Sequence, residues 1–217
     1  MKFNLLNNAL DSLNQVVVLL AVRAIEEDNS RFKQAILGLT HCIELLLKER
    51  LRMQCPALIW ERKKDYPNLD GRTVNASTAI KRLKAVVGVE FSEQDENMLE
   101  SLRHTRNAIE HYEWEMSEQE AKIIVGSALS FILSFGYKEL QIDLSDSYKE
   151  DDTWKMLLDE ASEFANAHGE RLKAVMLENN DFPQYCNQCQ QETVSWKGGS
   201  CSLCGHWQTT DYLEQED

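Results

Sequence analysis

Four cysteines in two identically spaced pairs restrict the end of this chain more tightly than any other feature. Cys186 and Cys189 form one Cys-x-x-Cys pair, Cys201 and Cys204 form another, and eleven residues separate the pairs. Two-residue spacing lets both thiolates of a pair reach one ion at about 2.3 Å. Four thiolates at tetrahedral corners favour zinc. Two disulfides do not suit a reduced compartment, and a redox dithiol needs a βαβ setting that the sequence does not provide. "ETVSWKGGS" reads as a strand, a Gly-Gly turn and a return. So small a segment cannot fold on apolar burial alone, and the metal supplies on the order of 10 kcal/mol of folding energy. The four cysteines close the site, so His206 is read as a neighbour rather than a ligand, and the zinc as structural rather than catalytic.

The rest of the chain reads as helical. Only three prolines and nine glycines interrupt its 217 residues. Apolar residues recur at helical spacing over Phe3–Glu27 and again over Arg31–Met53, with Asn29 or Ser30 as the cap between. Pro56, Pro67 and "NLDG" mark a loop. A short helix is predicted over Ala76–Val87. Ser92 with Asp95, and Ser117 with Glu120, form capping-box patterns that start two further helices, one ending near Tyr112 and one near Leu140. A single amphipathic helix is predicted over Asp152–Leu177, carrying Trp154, Leu157, Leu158, Ala161, Phe164 and Ala165 on its apolar face. The fold class is therefore mainly α, a helical bundle followed by a small metal-binding module with short β-strands. Residues 1–145 are assigned to the bundle, 146–182 to a connecting amphipathic helix, and 183–217 to the metal module and an acidic tail. Cys42 and Cys55 are read as buried core thiols.

A net charge of −13 argues against a general nucleic-acid coat. The charge is uneven, however. Lys48 to Lys84 carries +6, and everything from Ala85 onward carries −18. No signal-peptide core is visible, because Asn7, Asn8 and Asp11 break the N-terminal apolar run. The longest uncharged apolar run, Ile123 to Tyr137, falls short of the roughly 20 residues that a spanning helix needs. The chain reads as soluble and cytoplasmic, with no membrane partner.

One residue breaks the helical pattern. In "SLRHTRNAIEHYE", Met98, Leu99, Leu102 and Ile109 make the apolar stripe, and Arg106 falls within it. A buried lone charge is costly, so the guanidinium must be paired, solvated or at an interface. It can pair with Glu44 or Glu110, it can snorkel from an edge to water, or it can form a polar site with Asn107 and His111. The last two are i, i+4 neighbours on one helix face.

"RNAIEH" resembles the Arg-x4–6-His signature of the HEPN superfamily, in which a polar residue commonly follows the arginine. "HCIELLLKERL" resembles that family's second helix and "IIVGSALSFIL" its fourth, so the resemblance spans roughly residues 1–142. The cysteine module resembles a zinc ribbon, although Gln190 stands where the first knuckle customarily has glycine. The HEPN resemblance implies a helical bundle that pairs as a homodimer, with two Arg-His motifs facing one cleft. It also implies a metal-independent endoribonuclease, acting as a toxin or phage-defence effector beside an antitoxin or other partner protein. In that chemistry the RNA's own 2′-hydroxyl attacks the phosphate. His111 is the general acid or base, Arg106 holds the phosphate and Asn107 orients the groups. The ribbon binds RNA or a partner. The rival expectation is a non-catalytic dimeric module with the ribbon as adaptor. Some relatives carry a modifiable tyrosine two residues after the histidine; here that position is Glu113, and Tyr112 is adjacent instead.

Overall fold

The computed structural model describes residues 4–21, 30–68, 70–145, 148 and 152–210. Seven α-helices and a two-stranded antiparallel sheet make up the regular structure of these residues. Helices α1 (Leu5–Ala21) and α2 (Ser30–Gln54) pack along each other. They approach closely at Gly38, where a Cβ would lie 2.6 Å from Val16 Cγ2. Leu13, Val16, Val17 and Leu20 on α1 and Ile36, Leu39, Ile43, Leu46 and Leu47 on α2 are buried, as their spacing demands. The predicted extension of the first helix to Glu27 and the Asn29 cap lie outside the described residues.

After α2 the chain forms two 3-10 turns, Pro56–Ile59 and Lys63–Asp65, and a β-bridge between Trp60 and Thr73. Helix α3 (Ala76–Arg82) is capped by Asn75, whose side chain accepts from Thr78 N–H at 2.9 Å. It widens into a π-helical turn over Leu83–Val87 and stops at Gly88, whose φ of 80° is open to glycine.

Both capping boxes form. Helix α4 (Glu93–His111) opens with Ser92 Oγ accepting from Asp95 N–H, while the Asp95 carboxylate accepts from Ser92 N–H and O–H. Helix α5 (Glu118–Leu140) opens with the same exchange between Ser117 and Glu120, and the Ser117 hydroxyl and N–H hold the Glu120 carboxyl below its ordinary range. Helix α5 packs on α2, α4 and α7. By length and composition alone it could cross a membrane, a property that counting its uncharged run did not reveal. Here 61% of its most apolar stretch is buried, as in a core helix.

The helix expected over Asp152–Leu177 is two helices, α6 (Asp152–Glu160) and α7 (Ser162–Glu178). Ala161, at φ −118° and ψ 65°, leaves the helical region. In one straight helix Trp154 and Phe164 would point about 80° apart. The break brings both into the same core, with exposures of 1% and 0% and rings edge to face at 5.5 Å. It also seats the first turn of α7 on Gly126 of α5, where a Cβ would come within 2.7 Å of Phe164 N.

The sheet pairs β1 (Pro183–Tyr185) with β2 (Glu192–Ser195), with an irregularity between Gln184 and Tyr185. Gly199 N–H donates to Ser195 O and Ser195 N–H to Ser200 O, which makes the predicted turn and return. The module lies on α6 and α7. Trp154 Nε1 donates to Leu203 O at 2.9 Å, Lys173 pairs with Glu192, and Gln191 Nε2 donates to Asn166 Oδ1 at 2.8 Å. One cluster of buried apolar side chains runs from Ala9 through Trp154 to Cys204. Cys42 belongs to it, and burial pushes its thiol up to about 12. Cys55 does not: it is exposed, because α2 ends at Gln54 and the chain turns outward there.

Candidate functional sites

The four cysteines converge as predicted. Their sulfurs all lie within 4.8 Å of one another, with Cys186 to Cys204 at 3.7 Å and Cys189 to Cys201 at 3.6 Å. Tetrahedral sulfurs around an ion at about 2.3 Å stand roughly 3.8 Å apart, so the spacing fits a metal ion. The two pairs are built alike. Gln190 N–H donates to Cys186 O and Gly205 N–H to Cys201 O, both at 2.9 Å. Gln190 (φ 60°) and Gly205 (φ 76°) hold the same left-handed conformation. Gln190 therefore adopts the backbone of the glycine that it replaces, at the strain cost of a side chain in that region.

The crowded sulfurs hydrogen-bond one another. Hydrogen bonds from Cys189 and Cys204 drive the Cys201 thiol far below its ordinary range, and Thr193 and Cys204 N–H also bond its sulfur. Its partners hold their protons in exchange: Cys189 is pushed up to about 12 by its bond to Cys201, and Cys204 is raised by its bonds to Cys189 and Cys201. A cation would replace these shared protons. His206 contributes its backbone oxygen to Cys201 N–H and is not among the four ligand side chains.

Arg106, Asn107 and His111 stand together at the C-terminal end of α4. Core burial on this helix includes Met98, Leu99, Leu102 and Thr105 and stops there. Ile109, expected in the apolar stripe, is only half-buried, packed at the margin of the core. Arg106 is consequently not sealed in. Its side chain is 41% exposed and bonds Glu110 at 2.7 Å, one helical turn on. Arg106 Nη1 also donates to Asn107 Oδ1 at 3.3 Å. Glu44, the other carboxylate considered for it, pairs with Lys48 instead. The His111 ring is 62% exposed, lies 3.8 Å from the Glu110 carboxylate and meets the exposed Tyr112 ring edge to face at 6.4 Å. The helix ends at Tyr112, whose N–H donates to Ala108 O.

A cavity of about 530 Å³ lies elsewhere, between the start of α4, α5, α7 and the metal module, with Asp95, Lys138, His168 and Arg171 in its wall. There Arg171 and Asp95 pair at 2.6 Å and tie α7 to α4. No protein-family model, curated protein or solved structure matches the chain.

Proposed function

We propose that the chain is a metal-independent endoribonuclease of HEPN type that works as a homodimer, with zinc bound by Cys186, Cys189, Cys201 and Cys204 as structural support. The observation that carries this reading is the placement of Arg106, Asn107 and His111 at the end of α4, with the Arg106 and His111 side chains open to solvent. A guanidinium in this position can meet a phosphate, and an imidazole one and a half turns further on can exchange a proton with the same group. One His111 takes the 2′-hydroxyl proton while the oxygen attacks phosphorus. The 5′-oxygen leaves and receives a proton from the opposing His111 of the dimer. Arg106 neutralises charge that builds on the non-bridging oxygens. The products are a 2′,3′-cyclic phosphate and a 5′-hydroxyl end. On this reading the chain acts as a toxin or phage-defence effector in the cytoplasm.

The test is cleavage of single-stranded RNA by the purified chain beside Arg106→Ala and His111→Ala variants, with the new ends identified chemically. Each variant is expected to lose at least a hundredfold in rate. Cleavage that survives in both variants, or is absent from the parent dimer, overturns the reading.

The Arg106–Glu110 ion pair favours a second reading, a non-catalytic dimer module in which the guanidinium is structural. On that reading Arg106→Ala weakens self-association measured by sedimentation, and His111→Ala leaves it unchanged.

A further inference from the structure

We infer that the loop between α2 and α3 is an anchoring surface for the sugar–phosphate backbone of single-stranded RNA, an inference that rests on the ribonuclease reading. Most of the basic residues between Lys48 and Lys84 have their charge engaged. Lys48 bonds Glu44, Arg50 bonds Glu139, Arg52 bonds Glu49, Arg62 bonds Asp65 and Lys84 bonds Glu96. Arg82 turns inward and donates to the carbonyl oxygens of Leu58, Trp60 and Glu61. Lys63, Lys64, Arg72 and Lys81 remain. They are exposed, and among the described residues none has an ion-pair partner.

These four cations are gathered by the backbone. The Arg82 clamp holds the end of α3, and with it Lys81, against residues 58–61. Glu61 N–H donates to Arg72 O at 2.8 Å, which places Arg72 beside the turn that carries Lys63 and Lys64. The loop is tied together internally: Trp60 is buried and its Nε1 donates to Asn68 O at 2.8 Å. Trp60 in turn holds the ring of Tyr66 edge to face at 5.1 Å, and Tyr66 is 46% exposed. A fixed, exposed aromatic ring among unpaired cations offers a base a stacking face and phosphates their counter-charge. On a chain of net charge −13, these four cations give a polyanion a local counter-charge that most of the sequence does not offer. An acidic peptide would use the cations and leave the ring idle.

The loop and the Arg106 cluster occupy opposite ends of the bundle. Arg50, near the end of α2, bonds Glu139, near the end of α5, whereas Arg106 and His111 precede the start of α5. Helix α5 spans about 35 Å. Within one subunit, only a strand several nucleotides long reaches both surfaces, so the loop anchors RNA outside the cleft.

The experiment uses the full metal-loaded chain carrying His111→Ala, so that RNA is bound and not cut. Fluorescence anisotropy follows a labelled single-stranded RNA of about 20 nucleotides over a salt series. The triple variant Lys63→Glu, Lys64→Glu, Arg72→Glu is expected to bind at least tenfold more weakly, with a log–log salt slope shallower by about 2. Tyr66→Ala is expected to lose about tenfold and Tyr66→Phe to bind normally. Normal binding by both the triple variant and Tyr66→Ala overturns the inference. So does displacement of RNA by polyglutamate as effective as by RNA itself, with Tyr66→Ala neutral; that result would make the loop an acidic-protein dock. Cleavage by the unsubstituted chain is scored separately. Weakened binding in the loop variants without parental cleavage sinks the nuclease reading and keeps the anchor; parental cleavage with unaltered binding does the reverse.

Discussion

Arg106 sits where its helix is leaving the core, and this exposure resolves the apparent conflict between a permanent cation and an apolar stripe. Its partner Glu110 is one turn away on the same exposed end, so the pair contributes at most about 1 kcal/mol to stability. If the guanidinium serves a phosphate, Glu110 competes with that phosphate in the free protein. Glu110→Gln is therefore expected to move the thermal midpoint by no more than about 2–4 °C. The same change is expected to tighten RNA binding several-fold, read by anisotropy on a His111→Ala background. A large loss of stability, with binding unchanged, would assign the pair to the fold. The motif and its neighbours were legible as residue types at helical spacing. Their exposure was not, because spacing places Ile109 on the stripe but cannot say how deeply that part of the stripe is covered. Cys55 shows the same limit: its type suggested burial, and the chain turns outward one residue after α2.

Elements set by local chemistry could be read from the sequence, and elements set by distant contacts could not. Both serine capping boxes and the Cys-x-x-Cys turns depend on residues within four positions of one another, and each forms. The break between α6 and α7 has no such marker, since neither glycine nor proline stands at Ala161. Its cause lies in α5. Gly126 lets the start of α7 approach until backbone nearly touches backbone, and Trp154 and Phe164 then fill one core from two helices. A methyl group at Gly126 would sit 2.7 Å from Phe164 N and 2.9 Å from Glu163 C. Backbone cannot step aside as a side chain can, so Gly126→Ala is expected to destabilise the fold by about 1–3 kcal/mol in denaturant melts. Ser127→Ala, one residue on, serves as the control. A stabilised Gly126→Ala protein, as ordinary helix propensity would give, would mean that the α5–α7 contact is looser than described.

At the scale of the molecule, the metal module is joined to the bundle through the same core that holds α6. The Trp154 ring is buried against Phe164 and Tyr148, and its Nε1 donates to the backbone of Leu203, between the two cysteines of the second pair. Leu203 is itself 1% exposed. The sulfur cage thus fixes the carbonyl that satisfies a buried indole. Without the ion, nothing bonds the four sulfurs together, and the short strands cannot persist on their own burial. Loss of the metal should consequently reach into the bundle. Chelation is expected to red-shift the fluorescence of Trp154, identified by difference from a Trp154→Phe variant, and to lower the midpoint of the helical transition by several degrees. Zinc should restore both at one equivalent per chain. Cys204→Ser should reproduce the chelated state without chelator. A Trp154 signal blind to chelation would show instead that the bundle stands without the module. The indole–Leu203 bond would then follow from docking rather than maintain it.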